Sequence, residues 1–176
     1  MQIRNILSGA CGFALLATAG IAYASTATKT VSNTDRQFMI TAARADMTEA
    51  HEGQMAENQA TQADVKTFAK TLVDDHTSAY AELSELAAKL NVTIPKGIDV
   101  AKNQTIVQLV HAKGARFDSQ FARDEVAAHK SAIAVFKREA AHGQDTDVKA
   151  YAAKMVPVLE KHLHAAEGLA KPSGRS

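Results

Sequence analysis

The chain has 176 residues, of which 46% are hydrophobic and 5% aromatic, and its 20 Lys and Arg residues nearly balance its 19 Asp and Glu residues. A formal net charge of +1 without a basic cluster argues against a nucleic-acid partner. The single cysteine excludes an internal disulfide, so a folded domain must be stabilised by its apolar core.

The N-terminus has the features of a secretory signal peptide. Arg4 precedes an apolar segment, residues 6–21, which ends in the small-x-small triplet Ala22-Tyr23-Ala24. We predict a signal peptide over residues 1–24, cleaved after Ala24, and a periplasmic or secreted mature protein. The apolar segment is too short and too rich in Gly and Ala for a membrane span, and no later segment resembles one. No transmembrane anchor is therefore expected after cleavage.

The mature part is predicted to contain one domain, residues 34–170, between a disordered lead-in, residues 25–33, and a disordered tail, residues 171–176. Within this domain Gly and Pro are scarce, Ala is frequent, and apolar residues recur at spacings of three and four. The expected fold is all-α, an antiparallel up-down four-helix bundle.

Capping patterns predict where the four long helices begin. Helix 1 should open at Thr34, because residues 34–37 (Thr-Asp-Arg-Gln) have the form of a capping box, and helix 2 should follow a second such pattern at residues 61–64. Helix 3 should run from near Asp118 to about His142. Asp145 is placed to cap helix 4.

The order of the turns predicts two helical hairpins. Short turns join helix 1 to helix 2 and helix 3 to helix 4, whereas the connection after Asn91 is long and contains a short helix near residues 103–113. Helices 2 and 4 begin alike, with Asp-Val-Lys-Thr-Phe-Ala at residues 64–69 and Asp-Val-Lys-Ala-Tyr-Ala at residues 147–152. This similarity suggests an internal duplication.

Each long helix carries one polar residue on its apolar stripe: Glu49, His76, His129 and His162. Counted from the short turns, the three histidines fall within roughly 4.5 Å of one axial depth, and Glu49 lies about one turn away. Neutral imidazole binds Zn, Cu and Fe, and a carboxylate can complete a four-ligand set. These four residues are the candidate metal ligands.

Other interpretations of this layer stay open. Buried histidines bonded to neighbouring acceptors can simply fix helix register. Asp75, Asp124 and Glu125 border the stripes and could orient the histidines. The Glu-x-x-His pairs of di-iron bundles are missing at the central histidines, and no catalytic triad or phosphate-binding loop is present.

Taken together, these residues resemble the bacterial family called domain of unknown function 4142. The resemblance extends from about Asp35 to Leu169 and is carried by Phe38, Ala42-Ala43, Glu49, the run from Val65 to His76, Phe117-Asp118, Phe121, His129, Pro157 and His162. It implies a ferritin-like four-helix bundle and brings no established activity.

The leading functional hypothesis is a non-enzymatic exported bundle that binds a transition metal or serves in stress. The alternatives are a ferritin-like, metal-dependent redox enzyme and a structural or interaction module whose polar layer only sets register. A second copy of the chain or another envelope protein is a candidate partner under each hypothesis.

Overall fold

The computed structural model describes residues 30–98 and 100–171. The predicted signal peptide, most of the predicted lead-in and most of the tail lie outside these residues. The described residues form five α-helices and one short 3-10 helix, Val100–Lys102, without a strand. The helices are α1 (Asn33–Gln59), α2 (Ala63–Lys89), α3 (Gln104–His111), α4 (Ala115–His142) and α5 (Thr146–Ala170). The predicted all-α class is confirmed.

The four long helices form an antiparallel bundle. Helix α1 packs against α2 and α4, and α5 packs against α4 and α2. The ends of neighbouring helices show their directions, because Lys89 at the end of α2 forms an ion pair with Asp147 at the start of α5. The hairpins α1–α2 and α4–α5 have the most extensive contacts, as the predicted pair of hairpins requires. None of the described helices combines the length and hydropathy needed to cross a membrane.

Three of the predicted helix starts need correction. Helix 3, which is α4, begins at Ala115 rather than near Asp118. Helix α1 is capped by Ser32, whose hydroxyl accepts from the Asp35 N–H, rather than by Thr34. Helix α2 has no side-chain cap of its own, because the Thr61 hydroxyl is turned towards the distant Asp118. The predicted cap at Asp145 is confirmed, since its side chain accepts from the N–H groups of residues 147 and 148.

Asp118 lies inside α4, one turn after its start at Ala115, and satisfies the α1–α2 turn. Its carboxylate accepts from the N–H groups of Thr61 and Gln62, each at 3.0 Å. Asp35, in the first turn of α1, does the same for the other hairpin turn by accepting from the N–H groups of Gln144 (2.9 Å) and Asp145 (2.8 Å). In each hairpin, an aspartate of the first helix therefore stabilises the turn of the other hairpin.

The two hairpins are related by a constant shift in sequence. Asp35 and Asp118 are 83 positions apart (118 − 35), as are Asp64 and Asp147 (147 − 64). Asp35 and Asp118 also make equivalent contacts with the opposite turn. The structure thus extends the similarity seen at the starts of helices 2 and 4 to both helices of each hairpin.

The long connection begins with a helix end that is stabilised by its own backbone. Asn91 adopts a left-handed conformation with φ of 53°, and the Val92 N–H bonds to the Ala87 carbonyl at 2.8 Å. Val92 and Ile94 are buried, and the Tyr80 hydroxyl donates to the Pro95 carbonyl at 2.8 Å. The connection is therefore held against α2 before it reaches α3.

The apolar core has two parts separated by polar residues. The first part surrounds the α4–α5 turn and includes Phe38, Met39, Leu83, Phe136, Tyr151 and Leu159. The second part surrounds the α1–α2 turn and includes Val65, Phe68, Leu72, Phe117 and Phe121. Between them lies the central polar layer, which we define as Asp46, Glu49, Glu52, His76, Glu125, His129 and His162, all buried. Every long helix crosses this layer once.

Candidate metal centre

The three histidines of the central polar layer lie together in the middle of the bundle. His76, His129 and His162 are 2%, 1% and 1% exposed, and they come from α2, α4 and α5. One ring nitrogen of each lies within 4.8 Å of one nitrogen of each of the others. Their ring centroids are separated by 5.2 to 5.8 Å. We call this group the histidine trio.

Each ring of the trio uses one nitrogen to contact an acceptor of the protein. His76 Nδ1 is 2.9 Å from the Asp46 carboxylate, and His162 Nε2 is 2.9 Å from the Asp75 carboxylate. His129 Nδ1 is 2.9 Å from the backbone carbonyl of Glu125. A carbonyl or carboxylate oxygen only accepts, so these three nitrogens carry the hydrogen. Such outer contacts orient the imidazoles of protein metal sites.

The nitrogens that remain are lone-pair donors. In a neutral imidazole only one nitrogen carries hydrogen, which leaves Nε2 of His76, Nε2 of His129 and Nδ1 of His162 as acceptors. His76 Nε2 is buried without a hydrogen-bond partner in the described part of the chain. His129 Nε2 and His162 Nδ1 face each other at 3.3 Å. Two lone pairs at this distance repel unless a proton or a cation lies between them.

The pKa values of two of these histidines favour the neutral form. Burial and the nearby His76 and His129 lower the pKa of His162 to about 4, although its hydrogen bond to Asp75 acts in the other direction. Burial also lowers the pKa of His129, more than the charge of Glu49 raises it. For His76, burial is outweighed by the bond to Asp46 and the charge of Glu49, which raise its pKa. Two of the three rings are therefore ready to bind a cation at neutral pH.

A second group of buried side chains adjoins the trio. Ligand atoms of Glu49, Glu125 and His129 lie within 4.8 Å of one another. Glu125 is fully buried and neither of its carboxylate oxygens has a hydrogen-bond partner in the described residues; the same holds for one oxygen each of Glu49 and Glu52. Burial and the charge of Glu49 raise the pKa of Glu125 well above its usual value. Protons or a cation would stabilise buried carboxylates of this kind.

Of the four predicted ligands, the structure brings the three histidines into one group. Glu49 is grouped with Glu125 and His129 rather than with the whole trio. Asp75 and Glu125, which border the stripes, contact His162 and His129. Sequence reasoning missed Asp46 and Glu52, although both lie three positions from Glu49 and so share its face of α1.

Two surface grooves lead to the trio from different sides. The first, about 300 Å³, includes Asp46, Met47, His51 and His76 in its lining and is bordered by residues 97–98 of the connection. The second, also about 300 Å³, lies between α2 and α5 and reaches His162. Its lining includes Phe68, Leu169 and the cationic Lys161. The two entrances therefore differ in the ligand atoms that they offer.

Solved structures show that other proteins share this fold. A DUF305 fragment from Deinococcus radiodurans superposes with a TM-score of 0.71 at 12% identity, covering 80% of this chain and 97% of that one. CopM in its Cu(II)-bound form superposes with a TM-score of 0.66 at 13% identity, covering 77% and 95%. CopM in its Cu(I)-bound form gives 0.64 at 14% identity, covering 76% and 93%. At these identities the likeness concerns the fold alone.

The sequence matches no curated protein, but it matches one family. Residues 21–169 match the family described as Domain of unknown function (DUF4142), in agreement with the resemblance seen in the sequence. The chain belongs to the DUF4142 family.

Proposed function

We propose that this protein is an exported metal-binding bundle in which His76, His129 and His162 hold one transition-metal ion. The observation that carries the proposal is the convergence of three buried imidazole nitrogens, each of which carries no hydrogen in the neutral ring because the other nitrogen donates to an acceptor. An ion at their centre would replace the repulsion between His129 Nε2 and His162 Nδ1 with two coordinate bonds.

The spacing of the nitrogens supports this proposal. A tetrahedral ion with metal–nitrogen bonds of about 2.0–2.1 Å holds its ligand nitrogens about 3.3 Å apart. His129 Nε2 and His162 Nδ1 are separated by 3.3 Å. Glu49, predicted as the fourth ligand, lies near enough to His129 to approach the ion, and its carboxylate would place negative charge beside it. The site therefore offers both ligands and charge compensation.

Copper is the first metal to test. Imidazole binds Cu, Zn, Fe and Ni, so the ligands alone do not select one ion. CopM, which shares the fold, has solved forms with Cu(I), Cu(II) and Ag bound. We propose binding rather than catalysis, because outer contacts anchor the three histidines and Glu49 is placed to complete a four-ligand set.

Thermal unfolding with and without metal tests the proposal. An ion that binds only the folded protein raises the melting temperature, and the increase grows with the logarithm of the free ion concentration once this exceeds the dissociation constant. We expect Cu or Zn to raise the melting temperature of the untagged wild type, and His76→Ala, His129→Ala or His162→Ala to abolish the shift. His164→Ala is the matched control, because His164 is exposed on α5 two residues from His162. A wild type whose melting temperature ignores Cu, Zn and Fe from pH 5 to 8 would refute metal binding.

A further inference from the structure

The groove beside His76 has several side chains in its lining that can bind a metal ion. Met47 and His51 lie four residues apart on α1, which places them on one face of the helix. Both line the groove together with Asp46 and His76. The groove thus presents the thioether of Met47, the imidazole of His51 and the carboxylate of Asp46 beside the buried ring of His76. His51 is half-buried and stands outside the central polar layer.

His76 connects the groove with the trio. It lines the groove, yet it is only 2% exposed and its Nε2 belongs to the buried side. Its Nδ1 is held by Asp46, which also lines the groove. An ion in the groove therefore meets Asp46 and His76 before any other member of the central polar layer.

The second groove offers a contrasting route. It reaches His162, but its lining includes Phe68, Ala165 and Leu169, which supply no metal ligand, and Lys161, whose charge repels a cation. Asp64 and two threonines are its other polar lining residues. Of the two grooves, only the one beside His76 provides sulfur and nitrogen ligands along the way to the trio.

We propose that Met47 and His51 form a loading site that captures a soft ion, Cu(I), and delivers it through His76 to the histidine trio. This proposal rests on the proposed function, and it adds the route of entry and the oxidation state. Thioether and imidazole together favour Cu(I), whereas Zn(II) gains little from a thioether. The Met47 side chain therefore discriminates between the two ions, and the His51 side chain serves both.

The test measures the rate of metal uptake by the full-length mature protein. Cu(I) is delivered anaerobically from a coloured chelator and Zn(II) from a fluorescent one, and transfer is followed by stopped flow. The four proteins compared are the wild type, Met47→Leu, His51→Ala and, as the control in the other groove, Thr71→Ala. Leu keeps the apolar volume of Met without its sulfur, so a change in rate reports the thioether.

Met47→Leu should slow Cu(I) uptake by about tenfold and leave Zn(II) uptake unchanged, since removing a pre-binding ligand lowers the local ion concentration. His51→Ala should slow both ions. Thr71→Ala should match the wild type. Because the trio is intact in these variants, competition at equilibrium should give the wild-type midpoint.

Wild-type Cu(I) rates in Met47→Leu and His51→Ala would overturn the loading site, and so would equal slowing in Thr71→Ala. These results leave equilibrium binding in place and are thus distinct from failure of the proposed function. That failure would appear as a wild type that takes neither ion from its chelator, which would overturn both proposals.

Discussion

Asp118 and Glu125 lie seven residues apart on α4 and are 1% and 0% exposed. Their surroundings nevertheless shift the pKa values of the two carboxyl groups in opposite directions. Burial would raise the pKa of Asp118, but the hydroxyl and N–H of Thr61 and the N–H of Gln62 hold it below its usual value. Glu125 receives no hydrogen bond in the described structure, and burial raises its pKa well above the usual range. Burial is common to both groups, so the partners decide the charge state.

The same contrast separates the ends of the bundle from its centre. Asp35 is the equivalent of Asp118 in the other hairpin, and its bonds from Gln144 and Asp145 also lower its pKa against the effect of burial. At the centre the hairpins differ, because the position equivalent to His129 is Asp46 and the position equivalent to His162 is Ala79, at the same shift of 83. The aspartates that stabilise the turns are thus present in both hairpins, whereas the histidines of the candidate site in α4 and α5 have no histidine at the equivalent positions of the first hairpin.

The largest expected loss of stability concerns the apolar parts of the core. Leu72 is fully buried, and Leu72→Ala should lower the free energy of unfolding by about 2–5 kcal/mol through lost burial and a cavity. Leu159→Ala in the other part should have a similar effect. The exposed Lys66 and the half-buried Lys149, both outside the apolar core, serve as controls, each expected within about 0.5 kcal/mol of neutral on substitution by Ala. Equal small effects at all four positions in urea denaturation would contradict the two-part core.

Removing the carboxylate of Asp118 should come next in size. Asp118→Ala leaves the N–H groups of Thr61 and Gln62 without an acceptor, so the free energy of unfolding should fall by about 2–3 kcal/mol. Ser119→Ala, the exposed neighbouring position, controls for the substitution itself. Denaturation curves of the two variants at pH 7 give the comparison. A loss below that of Ser119→Ala would mean that Asp118 does not hold the turn.

Glu52 should make the metal-free protein less stable as pH rises. Burial and the charges of Glu49 and Asp124 raise its pKa to about 8, against 4.5 for an ordinary Glu, so the folded protein keeps this proton to higher pH than the unfolded chain. The contribution of Glu52 to the free energy of unfolding is fully present below about pH 4.5 and is lost as the pH rises towards 8. Between pH 5 and 7 the free energy of unfolding should fall by on the order of 2 kcal/mol. Unfolding of wild type and Glu52→Gln across this range measures the difference. Parallel curves would contradict the raised pKa.

Glu125→Gln should have the smallest effect and the opposite sign to Asp118→Ala. The amide has nearly the same shape, carries no charge to desolvate, and can donate to Glu49 beside it, so the metal-free variant should be as stable as the wild type or more stable by up to about 1 kcal/mol. Chemical denaturation at pH 7 in the presence of a chelator provides the measurement. A loss comparable with that of Asp118→Ala would show that Glu125 stabilises the fold through bonds of its own.

The sequence predicts the features that follow from the regular spacing of residues along a helix. It does not predict the features that depend on contacts between helices. Apolar spacing gives the four long helices, and the same spacing identifies Glu49 and the three histidines as inward-facing. The cap at Thr34 is wrong because the competing Ser32 stands two residues earlier and fits the same local pattern. The hydrogen bond from Thr61 to Asp118 could not be predicted, since the two residues are 57 positions apart in the sequence.

The candidate site shows the same limit. Helical spacing locates a histidine on each of α2, α4 and α5, but which ring nitrogen is free depends on Asp46, Asp75 and the Glu125 carbonyl. Two of these three acceptors lie on other helices than the histidine they contact. The separation of Glu49 from the complete trio likewise depends on side-chain positions across the bundle rather than on sequence spacing.

X-ray absorption spectroscopy of the metal-loaded protein tests the central claim, that the histidine trio binds a transition metal. Untagged protein loaded with half an equivalent of Cu(I), or of Zn(II) in a parallel sample, populates the tightest site alone. We expect imidazole scattering from about three histidines, with metal–nitrogen distances of about 2.0–2.1 Å for zinc, and the loss of this scattering in His129→Ala. A spectrum fitted by oxygen ligands alone, or one that His129→Ala leaves unchanged, would contradict the claim.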